Sequence, residues 1–225
     1  MESIEKKGGR AAARDRLIEA GIEVFAEHSY EAATTRMIAK KAGVNIAAIP
    51  YYFDGKQGLY HAVVEHIVEQ LQPFVEPTLE KISERADRRD LAPEEAISLV
   101  ETLLGKMIDF MVGAPEAVRF APIVLREHLH PSSAYEIVYK RVMCPVIDGI
   151  AAMVAATTGQ PLSGALKMRA LAFMGQVMVF RVARETMVRA LGFEGYNAEE
   201  THTIRRVILR QTRAALESLV EQTVQ

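Results

Sequence analysis

The sequence of 225 residues predicts an all-α fold, and three observations carry the prediction. Apolar positions recur at spacings of three and four, as in Leu17, Gly21, Val24 and Phe25, or Ile204, Ile208, Gln211 and Leu219. That is the period of a helix with one buried face. No run of short alternating segments suggests a sheet, and glycine and proline fall mostly between the periodic stretches.

The elements follow in order. The first helix is expected over about 11–28, the second over 35–42, the third over 46–52 and the fourth over 56–72, ending before Pro73. The polar stretch EKISERADRRDLAPEE reads as a loose connection. Further helices are expected over 94–112, 115–129 and 133–157. TTGQPLSG is a break, and two long helices close the chain over 163–191 and 198–222.

Nearly half the residues are apolar and a quarter are charged, ordinary values for a globular protein. The net charge of −2 carries no overall nucleic-acid signature, so any such surface must be local. The start of the chain, MESIEKKGGRAAARDR, lacks the apolar centre of a signal peptide. The longest apolar runs, such as LAFMGQVMVF, are too short to span a bilayer. A cytoplasmic protein without a membrane partner is expected. The single cysteine, Cys144, permits no internal disulfide, and with Pro145 and an apolar run after it the thiol is expected to be buried and inert.

Charge is uneven. Between Ala32 and Lys56 the bases Arg36, Lys40, Lys41 and Lys56 face one acid, Asp54, and Lys6, Lys7, Arg10, Arg14 and Arg16 lie upstream. Such clusters are often only solvated helix faces. Here the local pattern argues for more. Thr34 suits the N-cap of a short helix whose apolar face is Ile38, Ala39 and Ala42. Gly43 can end it in the left-handed conformation, Val44 packs under the turn, and Asn45 can cap the next helix. Two short helices joined by a glycine turn make a helix-turn-helix, whose second helix enters the DNA major groove.

Residues 10–60 resemble the DNA-binding domain of the TetR family of transcriptional repressors. Phe25, Tyr30, Ile38, Ala39, Gly43, Val44, Tyr51, Phe53, Lys56 and Leu59 carry the resemblance. AAIPYYF and the later REHLHPSSAYEIVY are most similar to its CecR-like branch. Three positions depart from the family pattern. Ser29 stands for a usual glycine. Met37 replaces an acid, so no capping box forms, and Pro50 replaces a residue that is often aromatic.

Pro50 lies in the second helix of the motif, where proline normally costs about 3 kcal/mol. With a cap at Asn45 it lies just past the first turn and kinks the helix. With a cap at Ile46 or Ala47 it falls inside the first turn, where backbone N–H groups have no helical partner. Ile49 is pushed away from helical angles either way. The reading is a short, tightened or late-starting recognition helix, and the equal alternative is that Pro50 is tolerated drift. The exposed face is then Ile46, Ala47, Ala48 and the proline ring, suited to thymine methyls and groove shape.

The resemblance implies that Tyr51 and Lys56 contact the DNA backbone, with Tyr52 nearby and Thr34, Thr35 and Arg36 flanking the groove. Packing against the fourth helix is an equal reading for Tyr52. The DNA-binding set is therefore Thr34, Thr35, Arg36, Asn45, Ile46, Ala47, Pro50, Tyr51, Tyr52 and Lys56, in a domain covering 1–56. A regulatory and dimerisation domain is expected over 57–225.

The helix over 163–191 is apolar nearly all round and needs a partner on the side its own domain does not cover. The resemblance implies a four-helix bundle across a two-fold axis, with Val177, Phe180, Ile204, Ile208 and Leu219 at the contact. Methionines and aromatics in the middle helices suit an adaptable pocket for a small apolar or amphipathic ligand. The expected lining is Met107, Phe110, Met111, Phe120, Arg126, Met143, Phe173, Met174 and Gln176. Arg119, Glu127, His128 and Arg181 are further polar residues in apolar surroundings. No phosphate loop, GxGxxG or zinc spacing appears, so no enzyme activity, cofactor or metal is expected. The reading is a homodimeric DNA-binding repressor that holds a palindromic operator and is released by a ligand. The alternatives are a ligand-independent regulator and, more remotely, a small-molecule or metal-dependent enzyme.

Overall fold

The computed structural model describes the backbone of residues 2–86, 88 and 90–224, and side chains from residue 11 to 222 apart from 87 and 89. The expected roles of Lys6, Lys7 and Arg10 lie outside the described side chains. Every regular element is helical, and no strand occurs among the described residues. By its contacts the chain gathers into two units: Met1–Gln70 with Val118–Tyr139, and Leu71–Ala117 with Lys140–Gln225. The sequence-based division after residue 56 follows a different line, because α4 runs on unbroken and its first half packs into the first unit.

The first unit holds α1 (Glu2–Glu27), α2 (Thr35–Ala42), α3 (Ala48–Phe53), the first half of α4 (Lys56–Ala86), most of α6 (Pro115–Leu129) and the short α7 (Tyr135–Val138). Leu17, Phe25, Ile38, Ile49, Leu59 and Ile123 lie at its centre, fully buried. Phe25, Tyr30 and Tyr60 form an aromatic cluster with centroids 4.9–6.1 Å apart. α1 and α4 meet closely at Gly21, where a β-carbon would stand 2.8 Å from Val63.

Polar contacts tie residues 118–139 into this unit. Arg126 donates to the Phe25 carbonyl at 2.7 Å. Arg119 pairs with Glu19 at 2.8 Å. Glu127, only 2% exposed, accepts the Tyr60 hydroxyl at 2.6 Å, the Ser132 N–H at 3.0 Å and the Ser132 hydroxyl. Burial, then the Glu127 carboxylate, push the Tyr60 phenol well above the ordinary tyrosine range.

The second unit contains the rest of α4, α5 (Pro93–Ile108), α8 (Cys144–Thr158), α9 (Gly164–Val182), α10 (Arg184–Leu191) and α11 (Ala198–Val224). Its core runs from Val75 and Ile82 through Leu103, Ile108, Val154 and Phe173 to Ile208 and Leu216. Four expected boundaries move. Helix α4 does not stop before Pro73 but carries Pro73 and Pro77 in its interior. Burial of Val75, Thr78 and Ile82, with the Phe74 ring tilted against Phe110 at 4.9 Å, outweighs the lost backbone bonds. The supposed loose connection is thus helical as far as Ala86, where Arg85 forks onto Glu95 with two 2.7 Å bonds.

The helix expected over 94–112 ends at Ile108 in a π-helical turn, Asp109–Gly113. There Arg205 holds both Asp109 oxygens at 2.7 Å. The helix expected over 133–157 divides into α7, a second π turn (Tyr139–Met143) and α8. Pro145 sits in the first turn of α8 and cannot donate back to residue 141, so the hydrogen-bond ladder resets ahead of it. The helix expected over 163–191 breaks at Ala183, with φ −103° and ψ 33°. The Phe180 carbonyl accepts from the Tyr196 hydroxyl at 2.9 Å, which satisfies it where the ladder fails. Cys144 is half-buried rather than buried, and its thiol donates to Asp148 at 3.3 Å. Among the described residues no helix is long and apolar enough to cross a membrane.

Candidate nucleic-acid interface

Helix α2 starts where a hydroxyl can hold its first turn. Thr34 is extended, and its Oγ1 accepts the Met37 N–H at 3.2 Å. The helix ends at Gly43, with φ 62° and ψ 37°. The Gly43 N–H donates to Lys40 at 3.3 Å and the Val44 N–H to Ala39 at 3.0 Å, the paired closure that a left-handed glycine permits.

Asn45 caps the turn rather than the helix. Its Oδ1 accepts the Ala47 N–H at 2.9 Å. The Ala48 and Ile49 N–H groups reach only three residues back, to Asn45 and Ile46, at 2.9 and 3.1 Å. α3 therefore begins at Ala48 with a tightened turn, and Pro50 is its third residue. There the missing N–H costs little. Ile49 stays helical despite preceding a proline, contrary to the expectation, because its fully buried side chain anchors it in the core.

The late start sets which side chains face outward. Thr34, Arg36, Asn45, Ala47 and Pro50 are exposed, and Thr35 is half-buried. Ile46 is 45% exposed and Tyr51 68%, although both are large and apolar or aromatic. Tyr52 is half-buried, with its ring 4.9 Å from Tyr51 and 6.2 Å from Phe53. Phe53 lies in the core beneath the Arg14 guanidinium, 5.6 Å from the ring centroid. Asp54 (φ 56°) and Gly55 (φ 107°) then turn the chain sharply into α4. Lys56 stands at that turn, half-buried. Its ammonium lies 4.6 Å over the Tyr30 ring and donates to the Glu31 carbonyl at 3.3 Å. The arrangement is a preformed convex edge with two hydroxyl-bearing aromatics, an exposed arginine and a pinned lysine.

Pro50→Ala is expected to leave the melting temperature nearly unchanged, since the first turn needs no N–H at this position. Operator affinity should fall by on the order of 1–3 kcal/mol as the turn relaxes and Tyr51 shifts. Titrations with operator and unrelated duplex beside a thermal melt measure both effects. Unchanged operator affinity would leave the proline without a role.

The residues expected to line a ligand pocket divide between the two units. Met107, Phe173 and Met174 are buried in the second unit's core, Met111 and Met143 pack against it, and Phe110 is buried beside Phe74. Gln176 is half-buried on α9. Phe120 and Arg126 belong to the first unit, Phe120 in its core and Arg126 on the Phe25 carbonyl. The second unit instead carries a groove of about 630 Å³ between the latter half of α4 and the start of α8. Val75, Leu79 and Ile82 line it, with Gln72, Arg141 and Asp148 among its polar residues. The prolines of α4 marked the wrong boundary and hid this groove from sequence reading.

The expected pairing residues differ in how far their own chain covers them. Val177, Ile204 and Ile208 are buried, and Phe180 and Leu219 pack against the same core. The side chains left outside are their neighbours: Met168, Leu171, Val179 and Val182 on α9, and Val207 on α11. Sequence reading also passed over the Tyr60–Glu127–Ser132 network. Its one signal was an acid, Glu127, inside the apolar run of α6. Among the described residues no three His, Cys, Asp or Glu side chains gather to hold a metal ion.

Residues 17–63 match the family model of bacterial regulatory proteins of the tetR family. Residues 96–219 match the model described as the C-terminal domain of the HTH-type transcriptional dual regulator CecR. The chain is similar to the HTH-type transcriptional dual regulator CecR of Shigella flexneri, 28% identical over 216 residues, which cover 94% of this chain and 95% of the relative. Its fold is similar to that of a transcriptional regulator from Rhodococcus sp. Rha1, with TM-score 0.58, 20% identity, and 90% of this chain and 96% of that one covered. It is also similar to that of AibR, solved in complex with isovaleryl coenzyme A and operator DNA, with TM-score 0.62, 12% identity, and 88% and 96% covered. With its helix-turn-helix matched by one model and more than half its length by the other, the chain belongs to the TetR family of DNA-binding transcriptional regulators, which are not enzymes.

Proposed function

We propose that the chain is a repressor that binds a palindromic operator as a homodimer and leaves it when a small apolar or amphipathic molecule occupies the second unit. The observation that carries this reading is the outward edge formed by α3 and the turn before it, where Ile46 and Tyr51 stand largely exposed. Ile46, Ala47 and Pro50 would meet base edges and methyl groups. Thr34, Thr35, Arg36, Asn45, Tyr51, Tyr52 and Lys56 would hold phosphates and fix register.

Pairing is supported by α9. Met168, Leu171, Gly175, Val179 and Val182 recur at three and four along its exposed side. Two such stripes on a two-fold axis would place two heads on two half-sites. The groove along α4 is a place roomy enough for a small ligand, and AibR was solved with both isovaleryl coenzyme A and operator DNA. A ligand that prefers a head spacing unsuited to the operator would lower DNA affinity by linkage. One observation favours a second reading, in which this unit serves pairing alone: the methionine and aromatic residues expected around a ligand are packed core.

The test is a set of titrations with a palindromic operator and with a duplex whose half-sites are scrambled, across salt concentrations. Preference for the palindrome and a steep salt dependence are expected. Equal affinity for both duplexes would overturn the reading. Lys56→Ala is expected to weaken binding to every duplex alike and to flatten the salt dependence by about one contact. An altered base preference would instead remove Lys56 from the phosphate-holding set.

A further inference from the structure

Two arginines at the α9–α10 junction form no ion pair found among the described residues. Arg181 is half-buried. Its Nε donates to the Met111 carbonyl in the first π turn at 2.6 Å, while its Nη2 is buried without a hydrogen-bond partner. Arg184, also half-buried, lies close enough to repel it, with its guanidinium 5.5 Å over the Tyr196 ring. Burial first, and then the Arg184 charge, lower the Arg181 guanidinium below the ordinary arginine range.

Three carboxylates on adjoining elements have other partners, while Glu194 adjoins Gly195, where a β-carbon would stand 3.5 Å from Arg184 Nη2. Asp109, in the same π turn, is held through both oxygens by Arg205. Glu185 pairs with Arg189 at 2.6 Å, and Glu200 accepts the Asn197 N–H at 2.9 Å. No ion pair found among the described residues includes Arg181 or Arg184. A second orphan touches the same turn: Thr201 Oγ1 is buried without a partner, and the Thr201 side chain lies 3.2 Å from where a β-carbon on Gly113 would stand. A partly buried cation without a counter-ion is costly, and two of them side by side more so. Guanidinium forks match oxyanions in geometry and charge.

We propose that the α9–α10 junction is an oxyanion site, in which Arg181 and Arg184 grip a carboxylate or phosphate group of a small molecule against the π turn of residues 109–113. Tyr196 holds Arg184 in place through its ring face and is itself anchored by its hydroxyl on the Phe180 carbonyl. The site needs neither DNA nor the α4 groove, so its failure leaves the repressor reading standing, and the reverse also holds.

The experiment is calorimetric titration of the full chain at constant ionic strength. One arm uses inorganic phosphate and the other a series of straight-chain monocarboxylates, each against chloride. Saturable binding is expected, together with a rise in melting temperature that chloride does not give. Tighter binding in the phosphate arm names a phosphate source, and tighter binding with chain length an organic acid. Arg181→Gln and Arg184→Gln should each weaken binding at least tenfold. Arg189→Gln, which removes an exposed arginine paired with Glu185, should leave it unchanged. If Arg181→Gln does not fold, Arg184→Gln decides alone. No saturable binding in either arm, or binding that the glutamine variants retain, overturns the assignment.

Discussion

Ile208→Asp is expected to leave no folded second unit, whereas Val207→Asp, one residue earlier on the same helix, should leave it folded but unable to pair. Ile208 is 2% exposed and sits in the core with Leu103, Val154 and Phe173, while Val207 is 47% exposed. An aspartate at 208 loses the packing of a buried isoleucine, about 2–5 kcal/mol, and places an uncompensated charge among apolar groups for several more. The sum rivals the whole stability of a typical domain, about 5–15 kcal/mol. At 207 the charge stays in water and acts only on an apposed copy. Circular dichroism melts and sedimentation velocity separate the cases. A folded dimer in Ile208→Asp, or an unaltered dimer in Val207→Asp, would contradict this account of which face is inside and which outside.

Glu127→Leu should be the most damaging change in the first unit. It leaves the Tyr60 hydroxyl, the Ser132 N–H and the Ser132 hydroxyl without their shared acceptor. Hydrogen bonds to a charged group contribute about 1.5–3 kcal/mol each, and a buried orphan costs a comparable amount. A loss on the order of 3–5 kcal/mol is expected, visible as a lower melting temperature and weaker operator binding. Pairing Glu127→Leu with Tyr60→Phe should restore part of it, because the double change removes donor and acceptor together. Full additivity of the two losses would show that the residues do not act through one another.

The helical class and the turn around Gly43 were legible because their causes are local. A three-to-four apolar period, a threonine cap and a left-handed glycine each act within a few residues. Pro50 was half legible: the sequence offered two starts for α3, and the Asn45 side chain, by bonding to Ala47, selects the later one. What the sequence could not show depends on distant partners. Pro73 and Pro77 read as an end because nothing local reveals that Val75 and Ile82 will be buried on both sides of them. The pairing residues were legible only as a face. Ile204 and Ile208 lie on one apolar helix stripe, and periodicity marks a face as buried without saying whether its own chain or another covers it.

The return of residues 118–139 to the first unit bears on how such proteins can be recombined. Cutting after the helix-turn-helix, or after residue 70, would take away Phe120 and Ile123 from the core and Glu127 from Tyr60. It would also free the Phe25 carbonyl that Arg126 holds. A chimaera that joins this reading head to the sensing part of a relative should therefore carry two inserts, 1–70 and 118–139, threaded through the recipient chain. Heads of this construction are not interchangeable beads. Mutations in α6 are therefore constrained by the stability of the unit that holds the helix-turn-helix.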